Sequence, residues 1–261
     1  MNDLVEWIAA HALLLWGGLL LLAVLLGDLA WRWNLRQRGA AIAIGREPVA
    51  IRARTGAMLV IAMMLLFAAI AIAVGAETQG LLPGFDAALA SDLRAHLPSA
   101  TLRIIAAITH LGDLWTVAAA STVVLAILLL RRHVRLATSW AIAVAGIVPI
   151  NSGIKAWFQR PRPLHGQGFM TESGWSFPSG HAFGAIVFYG MLAYVLLRLL
   201  PLRWHRPVVA GAIAMVTVIG ISRVLLQVHY LSDVLGGYAS GLAWLVVCIG
   251  GAEYWRLRRA T

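Results

Sequence analysis

The chain has 261 residues, of which 61% are apolar and 12% charged, with a mean hydropathy of +0.81. Soluble domains carry roughly half apolar and a quarter charged residues, so this composition excludes an ordinary soluble enzyme and leaves no stretch for a separate soluble domain. The formal net charge of +10 would suit nucleic acid, but the placement of the basic residues excludes that partner.

Taken in chain order, the first apolar run covers 8–30, enough to cross a bilayer core. Before it stand Asp3 and Glu6 and no Lys or Arg, whereas a cleavable signal starts basic, so this run is read as a true span. Further runs follow at 57–76, 104–130, 136–157, 181–200, 207–224 and 231–250. Each is read as a helix, because backbone in lipid must satisfy its own hydrogen bonds. Between the second and third runs, Phe85, Leu89, Leu93 and Leu97 lie four apart, which predicts an amphipathic helix on the bilayer surface. Gly112-Asp113 interrupts the third run and predicts a break before Leu114. The single cysteine, Cys248, sits inside the last run and reads as packing. Trp31, Trp33, Trp140, Trp157 and Trp204 stand near span ends and read as interface anchors.

Basic residues set the orientation. Segment 31–56 holds Arg32, Arg36, Arg38, Arg46, Arg52 and Arg54. The turn 131–135 holds Arg131, Arg132 and Arg135, the turn 198–206 holds Arg198, Arg203 and Arg206, and the tail holds Arg256, Arg258 and Arg259. If seven helices alternate, these fifteen of the twenty-one basic residues share one side, which is read as cytoplasmic, with the N-terminus outside. The basic surplus is therefore topogenic and suited to anionic headgroups of the bilayer.

Six basic residues fall on the other side: Arg94, Arg103, Lys155, Arg160, Arg162 and Arg223. Four of them lie in polar clusters at helix ends: 155–163 (KAWFQRPRP) and 222–233 (SRVLLQVHYLSD), joined on the same face by 175–183 (WSFPSGHAF). Together these describe an oxyanion site. Lys155, Arg162 and Arg223 supply fixed positive charge, the arginines as forked donors. Ser179 and Gly180 open an apolar helix, where free N–H groups and the helix dipole favour an anion. His229 and Asp233, four apart, share a helix face if that stretch is helical, and a carboxylate on Nδ1 leaves Nε2 as a nucleophile. His181, in the first turn of its helix, is placed to donate a proton. This set performs phosphoryl transfer without a metal or other cofactor. Arg160 reads as a headgroup contact, and Asp113 with His110 as a helix cap or a partner to the site.

Lys155 with Arg162-Pro163 fits K-x6-R-P, Pro178 to His181 fits P-S-G-H, and Ser222-Arg223, His229 and Asp233 fit S-R-x5-H-x3-D. Three such blocks in this order resemble the signature of the type 2 phosphatidic acid phosphatase family, over roughly residues 57–250. The resemblance implies an all-α polytopic membrane helix bundle: a six-helix core over 57–250, one extra helix and a basic loop over 1–56, and a basic tail over 251–261. It implies a phosphohistidine on His229, proton donation by His181, and a phosphate clamp from Lys155, Arg162, Ser179, Gly180 and Arg223. The expected partner is a membrane lipid phosphate in a bacterial inner membrane, reached from the non-cytoplasmic face. Undecaprenyl diphosphate is the substrate favoured at this point, with phosphatidylglycerophosphate, phosphatidic acid and lipid A phosphate as alternatives. Two rivals stand beside this reading. A vanadium haloperoxidase shares the site but would be soluble, and a non-enzymatic transporter would carry charge at mid-depth in several spans.

Overall fold

The structure, a computed structural model, describes residues 2–43, 45, 49–75, 80–163 and 172–258. Arg46 and Arg259 lie outside them. Among the described residues there are eleven α-helices and no strand: α1 (Asn2–Ala10), α2 (Ala12–Ala43), α3 (Ala53–Gly75), α4 (Leu81–His96), α5 (Ser99–Thr109), α6 (Leu114–Leu130), α7 (Val134–Ala145), α8 (Ile147–Phe158), α9 (Gly180–Leu199), α10 (His205–Leu225) and α11 (Leu231–Leu257). Six stretches are long and apolar enough to cross a membrane, α7 and α8 counting as one, and the α5–α6 pair adds a seventh that bends by 43°. That bend falls at the predicted Gly112-Asp113 break. The join between α7 and α8 has a sequence cause as well: Pro149 has no N–H to offer the carbonyl of Ala145.

The first run differs most from its reading. α2 continues through Arg32, Arg36 and Arg38 to Ala43, so half of the expected basic loop is helix. At 1.5 Å per residue α2 is about 48 Å long, well beyond a hydrocarbon core of about 30 Å, and its arginine-bearing turns project past the lipid. Asp28 on α2 accepts from Arg32 Nε at 2.7 Å and from Arg206 Nε at 2.8 Å, fastening α2 to the start of α10.

α9 and α11 form the centre. Over half of each span is buried, against 6% of α2 and α3, which face outward. Without a hydrophobic force between helices in lipid, close packing must hold them. Gly237 and Gly241 on α11 allow it: a Cβ on Gly237 would lie 2.7 Å from the Ser179 carbonyl oxygen, and one on Gly241 3.0 Å from that of Phe183. Trp140, Phe183, Phe188, Met191, Tyr194 and Cys248 fill the core beside them. Trp140 corrects its reading as an interface anchor: it is 1% exposed and donates from Nε1 to the Ser121 carbonyl at 3.2 Å.

The amphipathic stripe of α4 also finds protein. Leu89, Leu93 and Leu97 pack with Val5 and Ala9 of α1 and with Val224 and Leu225 at the end of α10. This cap sits at the end of the bundle opposite the arginine-rich turns. Lys155 near the end of α8, Gly180 at the start of α9, Arg223 near the end of α10 and Asp233 at the start of α11 meet beneath it.

Candidate active site

α10 ends in a Schellman motif. Gln227 takes the left-handed conformation at φ 56°, the Gln227 N–H bonds Val224 O at 2.9 Å, and the Val228 N–H bonds Arg223 O at 3.2 Å. The reversal delivers His229 to the pocket just before α11 begins. The Nδ1 atom of His229 lies 3.3 Å from Asp233 Oδ2 and 3.3 Å from Ser176 Oγ, and Ser176 also donates to Asp233 Oδ2. Arg162 Nη1 lies 3.1 Å from His229 Nε2. A guanidinium only donates, so Nε2 carries the lone pair and Nδ1 the proton. That is the tautomer a nucleophile needs. Burial pushes the His229 imidazole down to about 3 against the opposing pull of Asp233, so the ring is neutral at physiological pH.

His229, His181, Lys155, Arg162 and Gly180 line one cavity of about 280 Å³. The three remote segments therefore converge. Lys155 Nζ donates to the Trp175 carbonyl. Arg162 binds the carbonyls of Gly174 at 3.0 Å and Val228 at 2.8 Å, which draws the loop before α9 against the loop before α11. Two expected clamp residues stand behind the lining. Ser179 is fully buried and its hydroxyl caps α9 by accepting from the Ala182 N–H at 3.5 Å. Arg223, also fully buried, donates to Thr109 Oγ1 at 3.1 Å and to Glu172.

Glu172 was not anticipated. Its carboxylate lines the cavity, pairs with Arg223 and stands 3.9 Å from Arg162. Burial alone would raise this carboxyl, but Arg223, then His181 and Arg162, hold it below the usual range. It thus competes with any anion for the same two arginines. Glu172→Gln is expected to strengthen binding of inorganic phosphate by about tenfold, the equivalent of ~1.4 kcal/mol, and to lower thermal stability without the anion, because buried Arg223 loses the carboxylate it pairs with. Melting curves with and without phosphate read both effects, and unchanged phosphate affinity would contradict the competition.

His181 has a carboxylate of its own. Asp113, at the bend before α6, meets His181 Nε2 at 2.8 Å through Oδ1 and His110 Nδ1 at 2.6 Å through Oδ2. The site therefore holds two histidine–carboxylate pairs facing one cavity, and the partner reading of Asp113 is the observed one.

Arg160 is not a headgroup contact. Its side chain is 10% exposed. It donates to Asp233 Oδ1 at 2.6 Å, Ser232 Oγ at 2.7 Å and Asp86 Oδ2 at 2.9 Å, and stacks over Tyr230 at 4.3 Å. Asp86 on α4 is 1% exposed and accepts in addition from the Ser232 N–H at 3.2 Å and the Ser232 hydroxyl. Burial raises the Asp86 carboxyl above the usual range although Ser232 and Arg160 favour its charged form. Behind the aspartate that meets His229 thus lies a buried arginine shared with a second carboxylate. The sequence held one signal for it, an aspartate beside Phe85 within the apolar stripe of α4; that the stripe faces protein is shown by its packing.

The family model described as PAP2 superfamily matches residues 132–256, a range that contains all three sequence blocks. Phosphatidylglycerophosphatase B of Bacillus subtilis (strain 168) is 43% identical over 97 residues, 36% of this chain and 46% of that protein, so the chain spans about half the length of the curated relative it matches. The crystal structure of a transmembrane PAP2 type phosphatidylglycerolphosphate phosphatase from Bacillus subtilis superposes with a TM-score of 0.65 at 29% identity. That superposition covers 75% of this chain and 96% of the other.

Proposed function

We propose that the chain is a membrane lipid phosphatase of the PAP2 superfamily, the family whose model and solved structure it matches, acting through a phosphohistidine on His229 with phosphatidylglycerophosphate as substrate. One observation carries the mechanism: the unprotonated Nε2 of His229, fixed by Arg162, faces the same cationic cavity as His181. In the first half, Nε2 attacks phosphorus and Arg162 passes from the imidazole to a phosphate oxygen. Asp233 keeps the Nδ1 proton in place and stabilises the positive ring. The bond from phosphorus to the lipid oxygen breaks, and His181, paired with Asp113, gives that oxygen its proton. In the second half, water attacks the phosphohistidine, His181 takes the water proton, and inorganic phosphate leaves. Lys155, Arg162 and the start of α9 stabilise charge on the equatorial oxygens throughout, where phosphoryl transfer gains most.

The substrate reading rests on the two relatives, each named for a phosphatidylglycerophosphate phosphatase. It takes precedence over undecaprenyl diphosphate, the substrate favoured from the sequence, and was one of the alternatives given there. The arginine-rich turns at the far end of the bundle support a site on the non-cytoplasmic face. The test is phosphate release by purified protein in detergent with EDTA, from phosphatidylglycerophosphate, phosphatidic acid, undecaprenyl diphosphate and lipid A. Phosphatidylglycerophosphate is expected to show a kcat/KM about tenfold or more above the others. A reversed order in favour of undecaprenyl diphosphate would reassign the substrate. No release from any of them, or activity that requires Mg²⁺, would overturn the phosphatase mechanism.

A further inference from the structure

Asn151 lies on α8 one turn before Lys155, and residues four apart on a helix share a face. It lines the cavity together with Lys155, Arg162, His181 and His229, yet matches none of the three sequence blocks. It is 6% exposed. Its amide nitrogen is buried without a hydrogen-bond partner among the described residues. Such atoms are rare, since nearly every buried donor in a folded protein is paired, and an orphaned one opposes folding. Leucine or methionine would fill the same space without that penalty. A position that breaks a folding rule without local compensation is most often one kept for function.

The place of the carboxamide narrows that function. A Cβ on Gly180 would lie 3.2 Å from Asn151 Oδ1, so the group stands against the first residue of α9. There the uncompensated N–H groups and the dipole of a 20-residue helix gather negative charge. Lys155 and Arg162 enclose the same space with positive charge. For an unpartnered amide donor on a residue that lines a cavity between two cations, the fitting ligand atom is an anionic oxygen. The amide also adds what the ammonium of Lys155 lacks, a fixed direction.

We propose that Asn151 is a further phosphate-binding residue of this site, its amide N–H donating to a non-bridging oxygen of the lipid phosphate. The inference rests on the phosphatase reading but is tested separately from it, with vanadate as a probe that needs no lipid. Asn151→Leu keeps the volume and removes the donor. It is expected to raise the vanadate inhibition or dissociation constant about tenfold, the worth of one good hydrogen bond to an anion, and to lower kcat/KM on the lipid by at least as much. The melting temperature without ligand should stay at or above that of the wild type, because an unpaired buried donor has gone. Asn151→Asp keeps the shape, exchanges the donor for an acceptor and adds negative charge. Its vanadate affinity should fall further, and should keep falling as pH rises through the carboxylate range. A residue that only supports α8 would show neither the pH dependence nor lost affinity at unchanged stability. Asn151→Asp binding vanadate as tightly as the wild type at neutral pH would overturn the proposal, even if Asn151→Leu folds poorly. Wild-type protein that binds vanadate but releases phosphate from no lipid would instead sink the phosphatase reading and leave the vanadate comparison to judge Asn151.

Discussion

His229→Ala is expected to reduce lipid phosphate hydrolysis by a factor on the order of 10⁴ or more, as loss of a covalent nucleophile does elsewhere. His181→Ala should fall by a smaller factor, about 10² to 10⁴, the usual contribution of one positioned proton donor. Rates measured on the two purified variants at saturating lipid give the comparison, and a His229→Ala protein within tenfold of wild type would remove the phosphohistidine. The same residue carries a pH signature in stability. In the fold its imidazole is pushed down to about 3 by burial, whereas in the unfolded chain it titrates near 6.5. A group depressed on folding contributes stability that is complete above its unfolded value and is lost as pH falls through it towards the folded one. Between pH 7 and 4, therefore, the wild type should lose thermal stability more steeply than His229→Gln, by up to about 1.4 kcal/mol per pH unit. Parallel slopes for the two proteins would mean that His229 is not held neutral.

Much of this site was legible beforehand because its chemistry is carried by residue types that are rare in lipid. A lysine, two histidines and three arginines beside prolines and glycines at the ends of apolar runs leave few readings. Their spacing pointed to the His229–Asp233 pairing, but the helix face was not its cause: His229 stands in the loop before α11, and Asp233, in the first turn of α11, reaches back to the Tyr230 N–H and to His229 Nδ1. The spans were legible for the same reason, each being a length of apolar residues set by the bilayer. Three features were not. The length of α2 was hidden because arginines continue a helix as readily as leucines, so charge marked where lipid ends, not where the helix does. Glu172 was hidden because its partners, Arg162 and Arg223, are 10 and 51 positions away and nothing local requires them to meet. Arg160 was misread because a sequence gives no burial: an arginine two residues from the end of α8 looks like a headgroup anchor until α4 is seen to cover it. α4 itself was recognised as amphipathic, but its apolar stripe could equally have faced lipid, and only its packing on α1 and α10 shows that Asp86 points inward.

The arginine that was misread has the largest expected effect on stability. Asp86 and Asp233 are both essentially unexposed and share the guanidinium of Arg160 as their common cation. Removing one partner of a buried ionic group leaves uncompensated charge, which typically costs about 3–5 kcal/mol, so Arg160→Ala should melt far below the wild type. Asp86→Asn in the same chain should restore much of that loss, because one of the two stranded carboxylates is gone; the pair is coupled and their effects should not add. Activity should behave differently. Asp233 keeps its bonds from Ser176 and from the Tyr230 N–H at 2.9 Å but loses the support of Oδ1, so kcat is expected to fall about 10- to 100-fold, as when the outer partner of an orienting carboxylate is removed. KM should change little, because Arg160 does not line the cavity. The double variant should therefore regain stability without regaining kcat. Arg160→Lys, with a compact ammonium in place of a fork, cannot serve both carboxylates and should fall between the two. An arginine that only touched headgroups would give the opposite pattern: an unchanged melting temperature and a KM that rises when anionic lipid is diluted.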